Sequence, residues 1–224
     1  MNSDWADVPA LVLPATGQTA LMVGIVMAIV VLLGTPLGVV LHNTGPAGLF
    51  PHPTLNALLS WVANLGRSLP FLVLMAAVIP FTRLVVGTTL GISAAIVPMS
   101  LAGIPFFARL VESAIREVSS ANTDVGRVTG GSTLQIIRTI QLHEALPGLL
   151  AGLTINLIAM IEYSAIAGAI GAGGLGYLAV NYGYQRFDAT IMVVCVVLLI
   201  TTVQVIQFAG DRAVRSTSRV LHRS

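Results

Sequence analysis

The chain has 224 residues, 55% of them hydrophobic and only 9% charged, with a formal net charge of +2. Soluble domains carry roughly a quarter charged residues, so this composition excludes a water-covered globule and points to an integral membrane protein. The small positive excess comes entirely from arginine, since there is no lysine, and no nucleic-acid partner is expected.

A membrane-crossing helix needs about 20 mostly apolar residues. The N-terminal segment Met1–Gly17 lacks the basic start of a signal peptide and carries Asp4 and Asp7, so it is expected to be retained. Five spans are predicted. They are Thr19–Leu41, Leu55–Phe81 (interrupted by Arg67 and Pro70), Leu84–Ala108, Leu149–Ile170 (carrying Glu162) and Ala189–Ala209. The second and third are separated only by Thr82-Arg83, which reads as a tight hairpin. No linker or composition shift divides residues 1–224, so a single all-α transmembrane domain is expected. The odd span count and the lack of an internal repeat weigh against an inverted-repeat transporter.

Arginine counting orients the chain. Arg109, Arg116, Arg127 and Arg138 accompany the loop Glu112–Pro147, and Arg212, Arg215, Arg219 and Arg223 follow the last span. Five spans put both groups on one side. The expectation is N-terminus outside and C-terminus in the cytoplasm of a bacterial cell, in the inner membrane.

The loop 112–147, between spans three and four, is the polar interlude of the chain. A helix is predicted to start near Ser120, after a run of N-cap formers. Gly126 weakens it, and Thr129-Gly130-Gly131 break it. Ser132 and Gln135 then fit a capping box, opening a second helix from Thr133 toward Ala145 with Leu134, Ile136, Ile137 and Ile140 near helical spacing. A plain connector does not need a capped amphipathic helix. The element reads either as a helical hairpin on the membrane surface or as a docking surface for a partner.

Its spacing resembles the EAA loop of bacterial ABC importer permeases, in which E-A-A, three residues, G, nine residues and I-x-L-P follow one another. Here the register is Asp124-Val125-Gly126, Gly130, then Ile140-Gln141-Leu142-His143. Asp124 replaces Glu, Val125-Gly126 replace Ala-Ala, and His143 replaces Pro. Further segments are similar to the methionine-importer branch of that family: Arg67-Ser68-Leu69-Pro70-Phe71, Ile79-Pro80-Phe81-Thr82-Arg83, Ala95-Ile96-Val97-Pro98, Tyr163-Ser164-Ala165, Gly171-Ala172-Gly173-Gly174-Leu175-Gly176, Tyr182-Gly183-Tyr184 and Gln207–Arg212. The likeness runs from about Gln18 to Arg215.

The resemblance implies a permease subunit that pairs with a second copy of itself. Each copy would present its loop as a coupling helix to one of two cytoplasmic ATPase subunits, and a substrate-binding protein, often lipid-anchored, would deliver the amino acid outside. Asp124, Val125, Gly126, Gly130, Ile140 and Leu142 would carry the coupling to the ATPase. ATP and Mg would then belong to the partner. This chain has no lysine for a P-loop and is not expected to be an enzyme. An importer of another solute, such as an osmoprotectant, remains an alternative, as does a channel or scaffold without an ATPase.

Arg67 and Glu162 are the charges deep within predicted spans. Each costs roughly 2.5–3.5 kcal/mol at a helix centre, so they should face protein or water. They are expected to pair or to share a cavity. With Ser68, Tyr163 and Ser164 they are candidates for the pathway or gate; a structural ion pair, or an arginine snorkelling to the interface, is the competing reading. Gly171, Gly173, Gly174 and Gly176 match G-x-G-x-x-G literally, but an apolar span precedes them and no βαβ unit surrounds them. An irregular outer segment is expected instead. Tyr177, Tyr182 and Tyr184 after it suit either an interfacial belt or a contact surface for the delivery protein. The four histidines lie far apart and show no metal-ligand spacing.

Overall fold

The computed structural model describes Trp5 and residues 7–221, apart from the side chains of Arg67, Val220 and Leu221. Asp4 and Arg223, counted above, lie outside the described residues, as does most of the N-terminal stretch ahead of residue 7. No strand occurs among the described residues.

In order the helices are α1 Val8–Thr44, α2 Pro53–Ser68, α3 Phe71–Ala77, α4 Ile79–Val86, α5 Ile92–Arg116, α6 Ser120–Val128, α7 Thr133–Ile136, α8 Leu142–Glu144, α9 Leu146–Ala167, α10 Gly174–Tyr177 and α11 Ala189–Leu221. Wider π-type turns join α7 to α8 (Ile137–Gln141), follow α9 (Gly168–Ala172) and follow α10 (Leu178–Tyr184). Four helices are long and apolar enough to cross a membrane, five if α2 and α3 together form one broken span. The protein is thus an all-helical, multi-pass membrane protein.

Several boundaries differ from the sequence expectation. The first span lies inside a longer helix: α1 already begins at Val8, upstream of Thr19, and continues through Pro14 and Gly17. Its 37 residues reach about 55 Å at 1.5 Å per residue, well beyond a hydrocarbon layer of about 30 Å. The second span is not continuous. Pro70 has no amide hydrogen, and α2 ends at Ser68 before it.

The Thr82-Arg83 hairpin is contradicted. Both residues lie within α4, and the chain turns later, between Gly87 (φ 75°) and Gly91 (φ 85°). Gly87 ends α4 in the left-handed conformation with its amide donating to the Arg83 carbonyl at 2.9 Å. The third span accordingly starts at Ile92, not Leu84, and runs through Glu112 to Arg116.

The chain divides into two compact units. One comprises Met1–Ile29, Leu69–Gly103 and Leu157–Gln207. Its core joins Val8, Val12 and Ala15 of α1 to Leu175, Leu178, Ile191 and Cys195. Asp188 starts α11 there, its carboxylate accepting from the Ile191 amide at 3.2 Å. The other comprises Val30–Ser68, Ile104–Asn156 and Phe208–Ser224. Its core includes Leu41, Ala63 and Ala108, and Gly38 lets α1 approach α5 so closely that a side chain there would overlap Val111.

Candidate coupling element and pathway residues

The second unit contains the polar interlude. α6 starts at Ser120, where the N-cap formers placed it, although Ser119 at the cap position makes no side-chain bond. Its end is a Schellman motif. Gly130 takes φ 79°, its amide donates to the Arg127 carbonyl at 3.1 Å, and the Gly131 amide donates to the Gly126 carbonyl at 3.0 Å. The capping box follows as expected: the Gln135 amide donates to Ser132 Oγ, and the Ser132 amide donates to Gln135 Oε1 at 2.8 Å.

Gly126 does not interrupt the helix. It is buried where α6 crosses the following segment, and a Cβ there would lie 2.6 Å from Ile140 Cδ1 and 3.1 Å from Ile136 Cγ1. Ile136 is buried in turn, so the two arms of the hairpin pack on one another across a glycine. The helical path from Ile137 to Glu144 then runs into α9. The Ala145 amide donates to the Gln141 carbonyl, and the Leu149 amide to the Ala145 carbonyl.

Three contacts fix this hairpin within its unit. Asn43 and Gln141 form a buried amide pair, Asn43 Nδ2 donating to Gln141 Oε1 at 2.9 Å and Gln141 Nε2 donating to Asn43 Oδ1 at 3.0 Å. Such a pair is costly to break, because each partner is then buried unsatisfied. Arg127 reaches the Gly48 carbonyl at 3.0 Å, and Asn122 donates to the Glu144 carboxylate at 2.6 and 2.7 Å.

The outer face of α6 is left uncovered. Val125 is 62% and Val128 88% exposed, Leu134 is exposed beyond the turn, and Asp124 has only a 3.9 Å contact to Arg127. An exposed pair of that kind contributes little. Of the six coupling residues read from the sequence, Asp124 and Val125 lie on this open face. Gly126 and Ile140 meet in the inner contact, Gly130 makes the turn, and Leu142 is half-buried in α8. Asn43 and Gln141 were missed. Gln141 occupies the unspecified position of the Ile-x-Leu pattern, and its partner is 98 residues away.

In the same unit Glu112, only 7% of its side chain exposed, bridges Arg109 and Arg116 at 2.6 Å each. Arg109 also donates to the Ser60 carbonyl at 2.9 Å and to Asn64 Oδ1 at 3.1 Å, tying α5 to α2. This triad explains why α5 continues through Glu112. Ser68, at the end of α2, donates to the Asn64 carbonyl of its own helix at 2.8 Å. The Arg67 side chain lies outside the described residues, as does its expected pairing with Glu162.

The remaining candidates belong to the first unit. Glu162 is exposed on α9 and lines a cleft of about 290 Å³ with Ile161, Ala165, Leu199, Ile200, Val203 and Gln204. Tyr163 stacks on Phe71 with ring centres 4.3 Å apart and 8° between planes. Ser164 is buried and donates to the Ile161 carbonyl at 2.7 Å.

The glycine-rich segment is irregular. Gly171, Gly173 and Gly174 have φ of 107°, 87° and 78°. The amides a phosphate would need are already occupied, since Gly174 donates to Gln18 Oε1 at 2.8 Å and Leu175 to Thr19 Oγ1 at 3.0 Å. Gly176 is buried against the Ala165 backbone. Beyond it Tyr177 meets Tyr182 edge-on, Arg186 lies over the Tyr182 ring, and Tyr184 and Phe187 are exposed.

The chain is thus a multi-pass helical membrane protein with a self-capped, open-faced hairpin in one loop. Residues 34–216 match the family described as binding-protein-dependent transport system inner membrane component, and the chain belongs to that family. It is 51% identical over 223 residues to the probable D-methionine transport system permease protein MetI of Vibrio cholerae, which covers all of this chain and 95% of that protein. It is 42% identical over 187 residues to the D-methionine transport system permease protein MetI of Escherichia coli, covering 84% of this chain and 86% of that one. Among solved structures, an inward-facing form of the MetNI methionine ABC transporter (the CY5 native crystal form) superposes with a TM-score of 0.90 at 42% identity, over 92% of this chain and 96% of that one.

Proposed function

We propose that the chain is the permease subunit of an ATP-driven importer of methionine, working as a homodimer with two ATPase subunits on the side of the hairpin. The hairpin α6–α8 carries the reading. It is closed by its own caps, locked to the end of α1 by the Asn43–Gln141 pair, continuous with α9, and bare on its outer face. An element so braced transmits displacement instead of absorbing it. Motion of an ATPase against Val125, Val128 and Leu134 passes along α9 to the residues around Glu162. ATP drives transport by favouring one access state over the other, which requires a difference in its affinity for the two. ATP and Mg reside on the partner. The names of the relatives supply the solute.

In this reading the hairpin and the C-terminus of α11 face the cytoplasm. Glu162 faces the pathway or the second copy, because a carboxylate turned to lipid costs roughly 2.5–3.5 kcal/mol. Arg67 and Ser68 are assigned a transport role from the sequence alone. The exposed Tyr184 and Phe187 meet a delivery protein outside.

Uptake of labelled methionine tests the proposal. Cells lacking their own methionine importers and expressing this chain with its ATPase and binding protein should accumulate methionine. Arg67→Met and Glu162→Gln should each abolish uptake at normal membrane levels. Accumulation of a different solute and not methionine would leave the permease standing and remove the substrate; uptake indifferent to both variants would remove their pathway role.

A further inference from the structure

A polar cleft of about 440 Å³ opens in the second unit, lined by Asn64 of α2 and by Phe106, Arg109, Leu110, Glu112, Ser113 and Arg116 of α5. Its charges do not cancel. Two arginines face one carboxylate, and both oxygens of that carboxylate are already taken by them. Arg109 is held in place by Glu112, Ser60 and Asn64, yet its Nε is buried without a hydrogen-bond partner. Arg116 uses one nitrogen on Glu112 and leaves 70% of its side chain exposed. Asn64 gives its oxygen to Arg109, which leaves its amide nitrogen as a donor. The cleft therefore offers donors and a positive excess around Arg116, with Phe106 and Leu110 as its apolar wall.

Its depth follows from helix length. The uncharged part of α5, Ile92–Ala108, covers about 25 Å at 1.5 Å per residue, close to a hydrocarbon layer of about 30 Å. Arg109–Arg116 then fall at the level of lipid headgroups. We propose that this cleft holds the phosphodiester headgroup of an anionic phospholipid, with Arg116, Ser113 and the Asn64 amide as donors to the phosphate and the start of an acyl chain against Phe106 and Leu110. Arginine suits this role, since its planar fork matches phosphate oxygens. Basic recesses between membrane helices are a general form of headgroup site. The proposal rests on α5 crossing the bilayer and is independent of the transported solute. A retained lipid would brace α2 against α5 beside the hairpin.

The test uses the full-length chain, in the complex in which it purifies, reconstituted in equimolar phosphatidylglycerol and phosphatidylcholine. Lipids retained after gentle detergent extraction are counted by native mass spectrometry. The wild type should retain phosphatidylglycerol over phosphatidylcholine, and Arg116→Gln should lower that preference about fivefold, the effect of one arginine at an anionic surface. Ser113→Asp, which places a negative charge at the mouth, should lower it as well and serves if Arg116→Gln does not fold. Arg215→Gln in the tail should leave it intact. Unchanged preference in the cleft variants overturns the proposal. So does an equal loss in Arg215→Gln, which would mean diffuse surface attraction. Displacement of the lipid by millimolar inorganic phosphate would assign the cleft to a free anion instead.

Discussion

Two segments of this chain leave helical geometry through glycines, and they solve the problem in opposite ways. The hairpin around Gly126–Gly131 satisfies itself: its Schellman bonds and its capping box come from within about ten residues. The segment Gly171–Gly176 is satisfied from outside, by Gln18, Thr19 and the Gly91 amide, the first two 156 residues away. The first can therefore stand exposed and keep its shape while a partner presses on it. The second is shaped by its surroundings and is fixed only when α1 is in place. A load-transmitting element needs the first design, while the second suits a segment whose position must follow α1.

The difference can be broken from either side. The largest effect is expected at Gly176→Val. Any Cβ there overlaps the Ala165 carbonyl, a backbone atom that cannot turn away. The loss should be about 3 kcal/mol or more, seen as collapse of the thermal transition in detergent and of membrane yield. Next is Asn43→Leu, which leaves Gln141 buried and unpaired. It should cost roughly 2–3 kcal/mol and loosen the hairpin, so protease cleavage within residues 119–132 should accelerate.

Gly126→Ala sharpens the comparison, because two terms oppose. A helical glycine gains up to about 1 kcal/mol on becoming alanine, but the new methyl meets Ile140 Cδ1. The single variant should be near neutral. In an Ile140→Val background, where Cδ1 is gone and the 3.1 Å approach to Ile136 Cγ1 remains, the same change should be more favourable than in the wild type by about 0.5 kcal/mol, read as a rise in melting temperature. A loss confined to the other segment is expected from Gln18→Ala, which removes one helix-start acceptor from the Gly174 amide. About 1 kcal/mol is expected, with hydrogen exchange accelerating at Gly174 and not at the hairpin.

The same contrast explains what could be read from the sequence. The start at Ser120, the glycine break and the Ser132–Gln135 box depend on neighbours in the chain, and all three occur where the residue order places them. The apolar runs marked the long helices for the same reason. The Thr82-Arg83 hairpin failed because a polar pair between two apolar runs looks like a turn, whereas the chain turns at Gly87 and Gly91, where φ is positive. Glu112 looked like the start of a loop because its neutralisation by Arg109 and Arg116 is invisible until the residues are wound into one helix. The doubt over Gly126 is resolved by packing on Ile136 and Ile140. The Asn43–Gln141 pair and the Gln18 and Thr19 caps join residues about 100 or more positions apart, and no local pattern encodes them.

The most direct measurement is on Val128→Asp. Val128 is 88% exposed on α6, so the change should leave the melting temperature of the purified permease unaltered. If the open face of the hairpin is the ATPase dock, the ATPase should no longer co-purify and methionine uptake should fall at least about tenfold, as a buried unpaired charge at an interface costs more than 1.4 kcal/mol. Co-purification and uptake at wild-type levels would contradict the assignment of the hairpin as the coupling element.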